Sequence, residues 1–363
     1  MEENSEEDFI HDLKVIKRKN GEYVVLLDKV PTNRLTRVLN MCKDHDWLQI
    51  RMKPSDIERL DSLGITDYEG LRIYYYCDTI AEAPVNMLTK HGIKEVLIGA
   101  RENNCARKMD ILKYSIIRYK LDKLVEDLHG KNQKEKFKTI YTRLAYMIDY
   151  DKDAIKDNTE YARENEDTCR NLENSVLLNT AVCQGYCEVL KQTLSLVGIK
   201  AIICYSIEGQ DEIRHTYNMV QLDGEWFNAD LTWDYTNIRK GVSPKFCLKS
   251  NEDFLKCSEK DKPYHLPDDI QVPISTKSIE LYPEFRGHSR KKVSRASSKK
   301  HRIMGIIRNV VRRKKNVKEL EKLPAVEKDN FKEQIKAKPE YHNEVKAPSA
   351  AENTRVKDDD ISK

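Results

Sequence analysis

No apolar run in this chain of 363 residues approaches the roughly 18 that a membrane-crossing helix needs, so a helical membrane protein is not expected. The opening residues Met1-Glu2-Glu3-Asn4-Ser5-Glu6-Glu7-Asp8 lack the basic and apolar regions of a secretory signal, and the expected compartment is the cytoplasm. Cysteine pairs at CxxC spacing are missing as well. The nine cysteines lie at 42, 77, 105, 169, 183, 187, 204, 247 and 257. That spacing removes a zinc-ribbon reading, and in a reducing compartment the residues are expected as thiols. His45, His91 and His265 show no metal-ligand spacing and read as surface or packing residues. Acidic residues are absent between Arg286 and Lys318, where 14 Lys/Arg stand unopposed; with a chain total of +4, the remainder carries −10.

What is present suits a folded body with an appended tail. Hydrophobic residues make up 39% of the chain and charged residues 34%, enough for a core beside an unfolded segment. Four short β-favouring runs start at Tyr23, Leu48, Leu71 and Val96, at steps of 25, 23 and 25. Helix-compatible segments with N-terminal signals lie between them, around Pro31, Pro54 and Pro84. This pitch predicts parallel β/α units, as a short solenoid of leucine-rich-repeat type or a small open α/β sheet. Coincidental spacing of ordinary elements is the plain alternative. From Met109 to Tyr150 the pattern turns helical: Ile111, Tyr114, Ile117, Leu121, Leu124 and Leu128 share a face, and Lys136 to Met147 reads as a second helix. Residues 151–174 are polar and read as a surface excursion. Pro263, Pro267, Pro273 and Pro283 put the end of compact structure near 285. The expected division is an α/β N-terminal domain over 1–108, an α+β domain over 109–285, and a basic, mostly disordered tail over 286–363.

Chemistry concentrates in the middle domain. Cys183 opens an amphipathic helix with a buried face of Tyr186, Leu190, Leu194 and Val197, stopped at Gly198; Ile199 to Ser206 follows as a strand. Backbone N–H groups and the dipole at a helix start favour a thiolate and can hold the oxyanion of a tetrahedral intermediate. Downstream, Asp223-Gly224 signals a two-residue hairpin turn. Centred there, the hairpin pairs Leu222 with Glu225, sets Asp230 opposite Tyr217, and makes His215 and Asp230 diagonal neighbours on one face, within side-chain reach. The carboxylate can then fix the imidazole tautomer and stabilise its charged form.

Taken together, Val182-Cys183-Gln184-Gly185-Tyr186, His215-Thr216-Tyr217-Asn218-Met219-Val220, and Asp223-Gly224-Glu225-Trp226-Phe227 with Asp230-Leu231-Thr232-Trp233-Asp234 resemble the transglutaminase-like superfamily, in its bacterial-type branch. Phe246 to Phe254 and the lead-in Ala145 to Tyr150 match as well, so the likeness covers roughly residues 110–270. It implies a papain-like α+β fold with the cysteine helix packed on an antiparallel sheet. It further implies Cys183 as nucleophile, His215 as general base and acid, and Asp230 as orienting group. The implied chemistry is acyl transfer or hydrolysis at a protein or peptide amide, whether crosslinking, deamidation or proteolysis, with no metal and no cofactor. One position departs from the pattern: the family often carries an aromatic residue directly after the histidine, where this chain has Thr216.

Plainer readings stand beside these. Cys187 reads as a core thiol, and Trp226 and Trp233 as fillers of the sheet core. Gln184 could support an oxyanion hole or point away from it. The segment 286–318 mixes Ile303, Ile306, Ile307, Val310 and Val311 with Arg302, Arg308, Arg312, Arg313, Lys314 and Lys315. It suits an acidic partner, an anionic membrane or nucleic acid, a nuclear signal at 312–315, or no partner beyond the acidic body of its own chain. The rival to the enzyme is an interaction protein that uses the N-terminal domain and the basic tail around a catalytically idle core.

Overall fold

The fold is seen in a computed structural model that describes residues 13, 15–18, 21–66, 68–99, 108–152, 170–208, 212–257 and 272–285. The chain divides into two compact units, Met1–Ser289 and Arg290–Lys363, and all described residues belong to the first. The expectations placed on the basic segment 286–318 and on the tail therefore lie outside the described residues. No helix among the described residues is long and apolar enough to cross a membrane.

The unit mixes helices with several sheets. Its first part is a six-stranded sheet in which spatial order follows sequence order: β1 (Val15–Lys17), β2 (Tyr23–Leu26), β3 (Leu48–Met52), β4 (Ile73–Cys77), β5 (Glu95–Ile98) and β6 (Met109–Asp110). Strands β2 to β5 run parallel, and β1 and β6 close the edges antiparallel. Helices α1 (Leu35–Asp44), α2 (Pro54–Ser62) and α3 (Val85–Lys90) make the crossovers. Helix α2 shows why they start where they do. Pro54 occupies the first turn, where a missing N–H costs nothing, and the Asp56 carboxylate accepts the Lys53 N–H at 2.8 Å. Leu35, Val38, Leu39 and Cys42 bury one face of α1 at helical spacing. Across the sheet Val25, Ile50, Ile73, Tyr75 and Val96 join the same core as these helices. The alternate strand positions carry Arg51, whose guanidinium lies 5.4 Å over the Tyr76 ring, and Tyr74, under the Lys108 ammonium at 5.0 Å.

The chain then forms α4 (Ile111–Val125), α5 (Gln133–Met147), β7 (Asp149–Tyr150), α6 (Leu172–Leu177), β8 (Thr180–Ala181) and α7 (Cys183–Ser195). Among the boundaries that differ from the sequence reading, two have a clear local cause. Met109 belongs to an edge strand, because the helix waits for Asp110, whose side chain caps the Lys113 N–H. Likewise α5 opens at Gln133, where Asn132 and Glu135 form a reciprocal cap. The polar stretch 151–174 is also not wholly a surface excursion. Asn171 caps α6, and Asn171 and Leu172 are buried; residues 153–169 lie outside the described residues.

The second sheet is antiparallel, ordered β11 (Glu225–Ala229), β10 (Glu212–Leu222), β9 (Ala201–Glu208). Asp223 and Gly224 both take positive φ, 51° and 88°, the geometry of a tight two-residue turn. Leu222 pairs with Glu225, and the register runs unbroken to Asn218 opposite Ala229. Val220, Leu222, Phe227 and Ala229 enter the main core with Tyr186 and Leu190 of α7. The other face builds a smaller cluster from Cys204, Tyr217, Met219, Trp226, Phe246 and Phe254. Helices α8 (Leu231–Arg239) and α9 (Asn251–Cys257) complete the unit.

One core joins the two sheets, running from Leu13 through Tyr114, Phe137 and Leu190 to Tyr282. Polar links reinforce it. The buried Gln192 of α7 accepts the Ile80 N–H at 2.8 Å and donates to the Asp78 carbonyl at 3.3 Å. Tyr114 donates to the Ala83 carbonyl at 2.6 Å. Gly99 (φ +69°) approaches α7 so closely that a Cβ there would sit 3.4 Å from Gln192 Nε2.

Candidate active site

Three chain segments converge at the start of α7. Cys183 is its first residue, and the N-cap is Val182, which supplies no side-chain hydrogen bond. A valine is among the poorest N-caps, so the first N–H groups of α7 receive nothing from the residue that ordinarily satisfies them. Strand β10 brings in His215 and Thr216, just past an irregularity in its pairing with β9 between Ile213 and His215. Asp230 leaves the ladder directly after Ala229 and caps α8, its Oδ1 accepting the Trp233 backbone N–H at 3.1 Å.

The ring of His215 meets the carboxylate of Asp230, Nε2 to Oδ2, at 2.6 Å. Asp230 is fully buried and the His215 side chain largely so. A carboxylate removed from water is costly unless a partner compensates it, and the imidazolium is that partner. Burial alone would lower the His215 pKa, but the charge and hydrogen bond of Asp230, followed by those of Cys183, raise it well above its ordinary value. Cys183 moves the opposite way. Burial pushes its thiol up, yet hydrogen bonding and charge from His215, with Thr216 adding to them, leave it below the ordinary value. A depressed thiol beside an elevated imidazole is the pattern of a thiolate–imidazolium pair. With Nε2 taken by Asp230, Nδ1 is the nitrogen left for the thiol.

A second layer holds this arrangement. Asp234, one turn into α8, is fully buried and accepts the Tyr141 hydroxyl at 3.0 Å and the backbone N–H groups of Lys245 and Phe246 at 2.7 and 3.1 Å. Burial raises its pKa to about 7 against those hydrogen bonds. The Phe246 carbonyl in turn accepts the Asp230 N–H at 3.2 Å. Asn218 Nδ2 donates to the Cys187 carbonyl at 3.2 Å, tying β10 to α7. Cys187 is buried, and burial raises its thiol well above the ordinary value, as suits a core residue.

The three residues singled out in the sequence, Cys183, His215 and Asp230, thus lie together. Trp226 is buried in the smaller cluster, but Trp233 is not a core filler. It is 38% exposed on α8, with its indole N–H 2.9 Å from His215 Nε2. The reason is local: Asp230 starts a helix instead of extending the strand, so strand alternation no longer decides where Trp233 points. Thr216 faces both Cys183 and Cys187. Tyr150, reached through β7 pairing with β8, lies close enough to Cys183 for that thiol to add to the burial that raises its pKa. The parallel pairing of Tyr150 with Ala181 brings it there, and two-residue strands leave no sequence signal. No cluster of three or more His, Cys, Asp or Glu fit to hold a metal occurs among the described residues.

No protein-family model matches the chain, and no curated protein matches it. Solved structures with partial likeness include a TGase, at 20% identity and TM-score 0.29, covering 34% of this chain and 32% of that one. A candidate cysteine protease from Cytophaga hutchinsonii follows at 15% identity and TM-score 0.23, covering 33% and 37%. A candidate protease from Parabacteroides distasonis is similar at 10% identity and TM-score 0.23, covering 37% and 34%. The chain spans about a third of the length of each.

Proposed function

We propose that this chain is a transglutaminase-like cysteine enzyme that transfers or hydrolyses acyl groups at protein or peptide amides. In this reading residues 109–285 form the papain-like catalytic domain, 1–108 its α/β companion and 286–363 a basic tail. Cys183 is the nucleophile, His215 the acid and base, and Asp230 the group that orients and charges the imidazole. The observation that carries the reading is His215 held at 2.6 Å by a buried carboxylate while it faces a thiol of lowered pKa.

The chemistry follows in two halves. The Cys183 thiolate attacks the carbonyl carbon and the π pair moves to oxygen, beside the first N–H groups of α7. His215 passes its Nδ1 proton to the departing nitrogen, the C–N bond breaks, and a thioester remains. Water or an amine then attacks the thioester while His215 takes a proton back, and the thiolate leaves. Water gives deamidation or proteolysis; an amine gives a crosslink.

The test has two arms. A thiol-alkylating probe is expected to label Cys183 ahead of the other cysteines, with His215→Ala abolishing the preference; indifference of the labelling to His215→Ala would refute the reading. Intact-mass analysis of candidate protein substrates, with and without an added primary amine, then separates amine adducts from deamidation and from fragments.

A further inference from the structure

His215 Nε2 has two neighbours that cannot both be satisfied at once. Asp230 Oδ2, at 2.6 Å, needs a proton on that nitrogen. The Trp233 indole N–H, at 2.9 Å, needs its lone pair. A ring nitrogen is a donor or an acceptor, never both. The imidazolium and the Nε2–H tautomer serve Asp230, whereas the Nδ1–H tautomer serves Trp233.

The position of Trp233 is fixed by more than this contact. Its backbone N–H is bound to the other oxygen of the same carboxylate, at 3.1 Å. Its ring stands edge-on to the imidazole, centroids 5.7 Å apart at 62°, and lies 6.3 Å from the Phe246 ring on a segment that Asp234 holds. One residue therefore anchors the carboxylate through its backbone and opposes it through its side chain.

We propose that Trp233 is a positioning residue that competes with Asp230 for His215 Nε2 and so weakens the hold of the imidazole on its Nε2 proton. Among the described residues, the titratable groups that act on His215 are Asp230 at the start of α8 and Cys183 at the start of α7. Both favour the cation. The indole N–H opposes them, alongside burial: it stabilises the ring with a bare Nε2 and is repelled by the ring with Nε2 protonated. Its reach into a catalytic cycle rests on the function proposed above; its effect on the proton of His215 does not.

The experiment is nitrogen-15 and ring-proton NMR titration of His215 in the full chain and in Trp233→Phe, which keeps a ring and removes the donor. The variant is expected to raise the imidazolium pKa by about one unit, the worth of one ordinary hydrogen bond, and to deplete the Nδ1–H tautomer. Trp233→His, which restores an N–H donor, should recover part of the shift. An unchanged or lowered pKa in Trp233→Phe overturns the proposal. Alkylation of Cys183 in His215→Ala, run beside it, judges the enzyme reading on its own, so the two ideas can fail separately.

Discussion

The parallel sheet β1–β6 and the antiparallel sheet β9–β11 bury different things. The first packs aliphatic and tyrosine side chains against its helices, with few buried polar groups, among them Gln49, Asp56 and His91. Around the second, Thr216, Asn218, Asn228, Asp230, Asp234 and Ser250 are all buried. Buried polar and charged groups cost free energy unless each is matched, so their concentration sets the surroundings of Cys183 and His215 apart as the candidate site. The parallel sheet supplies cohesion, and it reaches the candidate site through Gln192, five residues along the same helix from Cys187, whose carbonyl accepts the hydrogen bond from Asn218 of β10.

Substitutions can break or sharpen that contrast. Cys183→Ala should abolish acyl transfer, by about 10⁴-fold or more, while thermal unfolding stays near that of the native chain; retained turnover on an amide substrate would move the chemistry elsewhere. Asp230→Asn keeps a capping side chain but removes the charge that favours imidazolium, and turnover should fall on the order of 10³-fold. His215→Ala removes the larger of the influences that lower the Cys183 thiol and leaves burial opposed only by Thr216 among those named above. The thiol pKa should then rise above its ordinary value, and alkylation at neutral pH should slow about 100-fold. On the other sheet Ile50→Ala should cost about 2–5 kcal/mol in denaturant unfolding and leave turnover of the folded fraction unchanged. Gln192→Ala is the smallest and the most telling. Losing the bonds to Ile80 and Asp78 should cost about 1–3 kcal/mol, and a concurrent change in turnover would show that the parallel sheet helps to hold the helix of Cys183.

Much of the site was legible because hairpin geometry is stiff. Asp223-Gly224 dictates the turn, the turn dictates that Leu222 meets Glu225, and that pairing carries His215 to Asp230 without any tertiary information. Helix α7 followed from the helical steps of Tyr186, Leu190 and Leu194 behind Cys183. Less legible were features that depend on what a short segment docks against. Strand β4 begins at Ile73, two residues after the apolar run does. Helix α6 hides beside a polar stretch because its six residues bury only Leu172, Ser175 and Val176. Trp233 was misplaced because Asp230 reads equally as a strand residue and as a helix cap, and only the docked helix decides between them.

The Asp223–Gly224 turn has a consequence for how this protein can change over generations. Side chains alternate along a strand, so inserting or deleting one residue between His215 and Asp230 slips the pairing by one and turns one of the two away from the other. Point replacements at exposed positions of the hairpin leave that count untouched. Lineages that keep the site alive can therefore vary the letters of this hairpin but not its length, and a single-codon gain or loss there should be the change they do not carry.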